Sequence, residues 1–214
     1  MRLSPARRGV LVAVAALSAC TLTSPIVQTE VITTTPGLLH KVAVVPFEPL
    51  PTFQRAKDPN APSAALSAEL VTRFVAEAFA AQGIAVVAPN DLVIAYEAEG
   101  RVLPRGDAQN VAALAAQQFG ATSIATGRVQ RYREREGGGA GSFGPASVAF
   151  DITLHAPSGS PVYKARFDHT QTTLSGDVFG AVRYPGGGTR WLTAAELARW
   201  GADHAVEEIP PGLR

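Results

Sequence analysis

The segment Lys41-Val42-Ala43-Val44-Val45-Pro46-Phe47 decides how the rest of the sequence is interpreted. Its side chains are apolar on both alternating faces, which is typical of a buried strand covered by helices. A second short apolar run, Ile84 to Ala88, has the same character, and a third strand is predicted from Thr122 into Tyr132. Buried strands that alternate with helical patterns indicate an α/β fold.

Helical patterns separate these strands. Apolar residues recur every three or four positions between Ser63 and Phe79, and Gly83 is placed to end that helix. A short helix is predicted after Pro89-Asn90-Asp91, and a further one from Asp107 to Gly120. The proline-rich residues 48–62 are predicted to form a loop.

The pattern changes after the glycine-rich segment 137–144. Residues 147–154 alternate between apolar and polar side chains, and a return strand follows the turn at residues 157–159. This alternation predicts an antiparallel strand pair with one face in water. Thr193 and Glu196 have the spacing of a capping box, which predicts the start of a last helix.

These patterns together predict a single α/β domain over residues 40–214. Its mixed β-sheet would carry packed helices and an antiparallel hairpin on one side. The chain has 214 residues and 46% hydrophobic residues, which suits one globular domain with short appendages.

The N-terminus has the organisation of a secretory signal. Arg2, Arg7 and Arg8 precede an apolar stretch over residues 9–16, which is too short to span a membrane. Without residues 1–19 the chain has 19 − 3 = 16 basic and 18 acidic residues, a net charge of −2. This balance excludes a strongly basic nucleic-acid binder, so no nucleic-acid partner is expected.

The signal ends in Leu17-Ser18-Ala19-Cys20, which resembles the lipobox of bacterial lipoproteins. The resemblance implies that Cys20 is the lipid attachment site and that residues 1–19 are removed. Thr21 follows the cysteine, where the family's inner-membrane retention signal is Asp, so the resemblance implies the periplasmic face of the outer membrane. The other interpretation is an ordinary signal peptide with an incidental or buried cysteine. Residues 20–39, rich in Thr and Pro, are predicted to be a flexible tether.

Little in the chain indicates chemistry. Cys20 is the single cysteine, so an internal disulfide and a cysteine-rich zinc site are excluded. Four histidines are dispersed without metal-binding spacing, and no nucleophile elbow is found. The glycine-rich segments 137–144 and 185–191 lack the features of a phosphate site and are interpreted as connections. We therefore predict no catalytic residue, no metal and no cofactor.

The densest charge cluster is the run Arg128 to Glu136. It is interpreted either as a solvated strand extension or as an exposed sheet edge that docks a partner. The predicted partner interface includes this run, with residues 137–144 beside it, and five candidate residues: Arg128, Arg131, Tyr132, Arg133 and Arg135.

The strands and helices follow the order of a known domain. The strand at residues 41–47, "QGIAVVAPNDL" (82–92) and "ALAAQQFGATSIATGRV" (113–129) resemble the domain shared by the TolB N-terminal domain, the curli-secretion lipoprotein CsgG and the penicillin-binding-protein activator LpoB. The resemblance covers roughly residues 41–172. It implies a non-enzymatic periplasmic module that binds an envelope protein or self-associates. The alternative that it implies is a subunit of a CsgG-like envelope secretion or transport assembly.

Overall fold

The protein is described from a computed structural model of its 214 residues. The structure describes residues 25–55, 62–105, 107–137, 144–172, 184–185 and 190–214. Cys20 and the predicted signal peptide lie outside the described residues, as does the glycine-rich stretch 138–143.

Three strands open the described chain, helices and one short strand follow, and three long strands precede the last helix. The strands are β1 (Val27–Val31), β2 (Lys41–Val44), β3 (Glu48–Arg55), β4 (Ala85–Val87), β5 (Ser123–Arg133), β6 (Ser147–His155) and β7 (Pro161–Thr170). The helices are α1 (Ala64–Ala81), α2 (Pro89–Ala98), α3 (Ala108–Phe119) and α4 (Ala194–Glu207), followed by a 3₁₀ turn, Pro211–Leu213.

The strands form one mixed sheet in the order β1-β7-β6-β5-β2-β4, and β3 pairs with the far part of β5. Pairing is parallel among β2, β3, β4 and β5. It is antiparallel from β5 through β6 and β7 to β1. The predicted α/β fold, with an antiparallel hairpin on one side of a mixed sheet, is therefore confirmed.

The helices begin where the sequence predicts them to begin, with one exception. Ser63 caps α1 by accepting a hydrogen bond from the Leu66 N–H, and Asp107 caps α3 in the same way. Thr193 and Glu196 form the predicted capping box of α4. The exception is α2, which starts after Ala88 with Pro89 in its first turn and has no side-chain cap. Proline suits that position because the first N–H groups of a helix have no intrahelical acceptor.

The helices cover the two sides of the sheet unequally. On one side α1 and α4 bury a core that includes Val44, Phe150 and Phe167. On the other side α2 and α3 pack over β2, β4 and the first residues of β5, burying Val45 and Ile124 among others. In the antiparallel half, one side is thus under α4 while no described helix covers the opposite side.

Two strands lie where the sequence patterns predict irregular structure. Residues 27–31, predicted to be tether, form β1 and pair with β7, and Val27 is 3% exposed. Val27, Thr29 and Val31 have β-branched side chains, which favour strands. Residues 48–55, predicted to be loop, form β3. This strand tolerates Pro49 and Pro51 because among the described strands it pairs with β5 alone, and its register breaks after Pro49.

Candidate partner-binding surface

The uncovered side of the antiparallel half is lined with charged side chains, and we call it the open face. On β1, β5, β6 and β7 it carries five basic and three acidic residues: Glu30, Arg128, Arg131, Arg133, Asp151, Lys164, Arg166 and Asp168. A fourth acid, Glu48 of β3, lies beside Arg128 on the same side of the sheet. The excess of basic residues gives this face a positive character, although the mature sequence predicted above is mildly acidic. Such a face favours an acidic partner surface.

A β-bulge at Gln130 places the arginines of β5 on one face. Arg128 pairs with Asp151 of β6, but the register shifts between Val129 and Arg131. Residues three apart in a regular strand point to opposite faces, and the extra residue of a bulge reverses that relation. Arg128 and Arg131 therefore both reach the open face, and Arg133 joins them at the regular spacing of two.

The bulge has the opposite effect on Tyr132. Its side chain lies on the helix side in the core, with 2% of its surface exposed. Burial raises the pKa of the Tyr132 hydroxyl to about 12, and the nearby charge of Glu134 adds to the shift. The inclusion of Tyr132 in a partner interface is therefore wrong.

The interpretation of this segment as an exposed sheet edge is also wrong. β5 lies inside the sheet, with β6 on one side and β2 and β3 on the other. Its backbone is occupied along both edges, so strand addition to β5 is excluded. The arginines can contact a partner only through their side chains on the open face.

Part of the open face is held rigid by hydrogen bonds. Arg131 donates from Nε to Ser147 Oγ at 2.7 Å and from Nη2 to Asp168 Oδ1 at 2.5 Å. Arg166 donates to the other carboxylate oxygen of Asp168 at 3.0 Å. Partial burial alone would raise the pKa of Asp168, but the hydrogen bonds from Arg131 and Arg166 outweigh it and lower that pKa. Asp168 is therefore a structural anion that orients two arginines.

Other cations on the open face are held loosely. The Arg128 side chain is 59% exposed, and its Nε lies 3.5 Å from Asp151. Lys164 is 51% exposed, with Nζ 3.7 Å from Glu30. Exposed ion pairs of this kind contribute little to stability, so these cations can exchange partners at small cost. They border a shallow depression of about 440 Å³, which also includes Gln28 and Arg166.

Arg133 and Arg135 lie at the far end of β5. Both side chains are half-buried, and within the described part of the chain neither forms an ion pair. The buried Nε of Arg133 has no hydrogen-bond acceptor among those residues. Of the five predicted interface residues, the structure thus places Arg128, Arg131 and Arg133 on one face and Arg135 just beyond the strand end.

Sequence reasoning missed the residues of the open face outside β5. Asp151, Lys164, Arg166 and Asp168 occupy the polar positions of the two alternating strands β6 and β7. The alternation marked these positions as facing water. The pairing that brings them beside Arg128 and Arg131 is a long-range property, and short local patterns do not specify it.

A second cavity, of about 640 Å³, lies between α1 and the start of α2. Phe47, Ala76 and Val86 contribute to its mostly apolar lining, and Arg73 and Glu77 stand at its rim. It contains none of the predicted interface residues. Among the described residues no group of His, Cys, Asp and Glu could hold a metal ion, and no helix is long and apolar enough to cross a membrane.

The similarity of this chain to known proteins is found in its structure and not in its sequence. No protein-family model matches the sequence, and no curated protein sequence matches it significantly. The PelC dodecamer from Paraburkholderia phytofirmans is similar in structure, at 16% identity and a TM-score of 0.50, over 88% of this chain and 97% of that one.

Two further solved structures are similar at lower TM-scores. LpoB from E. coli matches at 15% identity and a TM-score of 0.41, over 64% of this chain and 60% of that one. Lipoprotein GNA1162 from Neisseria meningitidis matches at 14% identity and a TM-score of 0.40, over 67% and 93%. At these identities the likeness to PelC shows a shared fold alone. The finer resemblance to TolB and CsgG stays a prediction.

Proposed function

We propose that this chain is a lipid-anchored accessory module of the bacterial cell envelope, without enzymatic activity, that binds an acidic surface of an envelope protein through its open face. One observation carries the proposal. Half of a seven-stranded sheet is left uncovered on one side, and its strands present five cations against three anions there, with Glu48 of β3 as a fourth anion. Charged surfaces such as the open face increase the rate of association and determine the choice of partner more than they increase affinity.

The anchor belongs to the same proposal and rests on the lipobox at residues 17–20. Several acyl chains on one residue give stable attachment, where a single chain would be marginal. We place the anchor on the periplasmic face of the outer membrane because Thr21, rather than the Asp of the inner-membrane retention signal, follows Cys20. Replacing Cys20 by Ser in cells fed a palmitate analogue tests the anchor directly, because retained labelling would contradict it.

A photo-crosslinking experiment tests the open face. A photoreactive amino acid at Thr153, which lies on β6 opposite Lys164 and lines the same depression as Arg128, should crosslink one envelope protein in cells. The same group at Arg73, an exposed position of α1, is the control. Arg128→Glu combined with Arg166→Glu should reduce the Thr153 crosslink at least tenfold, whereas Arg73→Glu should leave it unchanged. Equal crosslinks from both positions would contradict the proposal.

A second candidate function is a subunit of an envelope secretion or transport assembly. The observation that favours it is the shared fold with PelC, whose solved structure is a dodecamer. Native mass spectrometry of the acylated chain in detergent separates the candidates. A closed ring of many identical copies supports the assembly subunit, and one or two copies together with a different protein support the accessory module.

A further inference from the structure

The first strand of the described chain, β1, forms one edge of the sheet. It pairs with β7 on one side, and no described strand lies along its other side. Residues 28–31 are all exposed. The opposite edge is formed by β4, which has three residues against the five of β1. Short edge strands resist pairing with other chains, and longer exposed ones invite it, so β1 is the edge that is open to pairing.

The hydrogen bonds to β7 identify which backbone groups of β1 point outward. The Ile32 N–H donates to the Val162 carbonyl at 2.9 Å. In an antiparallel pair the residues that face the partner alternate with those that face away. Glu30 and Gln28 therefore also direct their backbone toward β7. The N–H and C=O groups of Val27, Thr29 and Val31 point out of the sheet.

Exposed apolar side chains lie at the same edge. Among the described residues five large hydrophobic side chains are exposed, and Val31 and Ile32, at 45% and 40%, are two of them. Val31 and Thr29 share the helix side of the sheet with the buried Val27. An edge with free backbone groups and a neighbouring apolar side chain gains both hydrogen bonds and burial when a strand is added.

We infer that β1 pairs with β1 of a second copy of this chain, antiparallel and with Thr29 on the two-fold axis. In this register Val27 lies opposite Val31 of the second copy, and all three outward residues form hydrogen-bonded pairs, about six bonds in total. Gln28 lies opposite Glu30 of the second copy on the other side of the sheet. An amide can donate to a carboxylate there, and β-branched residues pair across the strands on the helix side.

The sequence of β1 selects this register over its neighbours. A shift of two residues in one direction places Glu30 opposite Glu30 of the second copy, and like charges directly opposite are destabilising. The shift in the other direction places Gln28 opposite itself and shortens the overlap. A self-complementary edge is what an isologous two-fold interface requires. This argument does not depend on the proposed function of the open face.

The pairing is compatible with two lipid anchors in one membrane. Antiparallel pairing directs the two copies of Val27 toward opposite ends of the strand pair. About seven residues separate Cys20 from Val27, and extended they span roughly 24 Å, which exceeds the ~17 Å length of a five-residue strand. Confinement to a membrane would also raise the effective concentration of a weak pair.

Disulfide trapping tests the register. Opposed hydrogen-bonded residues have Cα atoms about 5.5 Å apart, which suits a disulfide. Thr29→Cys in the full chain, as cells process it, should give a crosslinked dimer under mild oxidation in most molecules. Thr33→Cys is the matched control, because Thr33 is exposed but lies far from the axis, and it should give less than a tenth as much. The parent chain measures any crosslinking through Cys20. Equal yields from Thr29→Cys and Thr33→Cys would overturn the inference.

Charge substitution at Gln28 provides a second measurement. Gln28 is exposed but lies opposite Arg166 of β7, so thermal unfolding of each variant is measured beside its dimerisation to show that the pairing of β1 with β7 is kept. In the dimer, Gln28→Glu places a carboxylate opposite Glu30 of the other copy at two equivalent positions. The dimer dissociation constant, measured by analytical ultracentrifugation, should therefore rise at least tenfold. Gln28→Lys should preserve or lower it. The inference would be overturned if the two variants had the same dimer dissociation constant, or if the parent chain were monomeric at every concentration. The Thr153 crosslink to an envelope protein would persist if only the dimer were wrong.

Discussion

The carboxylate of Glu134 accepts hydrogen bonds from the backbone N–H of Ala194, with Oε1 and Oε2 at 3.0 and 3.2 Å. This contact joins the residue after β5 to the first residue of α4, which lies 60 positions later. The N-terminus of a helix has free N–H groups and a partial positive charge, and a carboxylate satisfies both. One acid of the charge run is therefore a helix cap rather than part of a partner surface.

Replacing this cap should destabilise the fold. Glu134→Ala removes an acceptor and a negative charge from the start of α4, and we expect a loss of about 1 kcal/mol in the free energy of unfolding. Glu134→Gln keeps an acceptor oxygen and should lose less. Denaturant titration measures both, with Glu69→Ala on the exposed surface of α1 as the control. A control loss as large as that of Glu134→Ala would contradict the capping role.

The capping box of α4 should make the free energy of unfolding depend on pH. Hydrogen bonds from Arg190, followed by those from Thr193, hold the pKa of Glu196 at about 2, below its ordinary value of 4.5. The carboxylate is thus stabilised in the folded state, so this contribution is complete above pH 4.5 and is lost as the pH falls toward 2. Because both side chains are more than a third exposed, we expect at most about 1 kcal/mol.

Glu196→Gln separates the ion pair from the cap, since an amide can still accept from the Thr193 N–H. The free energies of unfolding of the parent and of this variant should differ at neutral pH, and the difference should shrink below pH 4.5 and vanish only below about pH 2. A difference that stays constant over this range would exclude titration of Glu196 as its cause.

A close approach between α4 and β7 gives a third prediction. A Cβ atom on Gly201 would lie 2.7 Å from ring atoms of Phe167, closer than atoms can pack. Gly201→Ala should therefore cost about 1–3 kcal/mol, although alanine favours helices, because the buried ring must move. Gly212→Ala is the control, because a Cβ atom there meets nothing within 4 Å. Thermal unfolding compares them, and an equal melting temperature for the two variants would refute the close contact.

The elements that could be predicted from the sequence are those whose signals are local. Ser63, Asp107 and Thr193 cap helices at the predicted positions because a cap depends on residues within one turn. The alternation of residues 147–154 likewise predicted a strand, and β6 is one, but only its second half has a partly exposed face: Ser147 and Ala149 are buried, whereas Asp151 and Thr153 are half-buried. β1 and β3 were not predicted, because each is short and depends on pairing with a distant strand.

The candidate site was predicted in part for the same reason. The arginine run marked the correct strand, but the bulge at Gln130 decides which of its side chains face water. A bulge inserts only one extra residue, which shifts the alternation of apolar and polar side chains by one position. In a segment where nearly every residue is polar, that shift cannot be recognised from the sequence. The acids that orient the arginines come from β6 and β7, so only the folded sheet brings them together.

Because adjacent residues of β5 point to opposite faces, substituting one should lower stability and substituting the next should lower partner binding. Tyr132→Ala empties a fully buried site between the sheet and the helices, and by analogy with other buried aromatic residues it should cost about 3–5 kcal/mol. Arg133→Ala, one residue later on the open face, removes a half-buried side chain without a described ion pair and should cost clearly less, about 1 kcal/mol. Crosslinking from Thr153 should show the reverse order of effects. The crosslink yield should fall for Arg133→Ala, and it should persist for Tyr132→Phe made in a stabilised background. If Arg133→Ala instead unfolded the protein as readily as Tyr132→Ala, the assignment of these two side chains to opposite faces would be refuted.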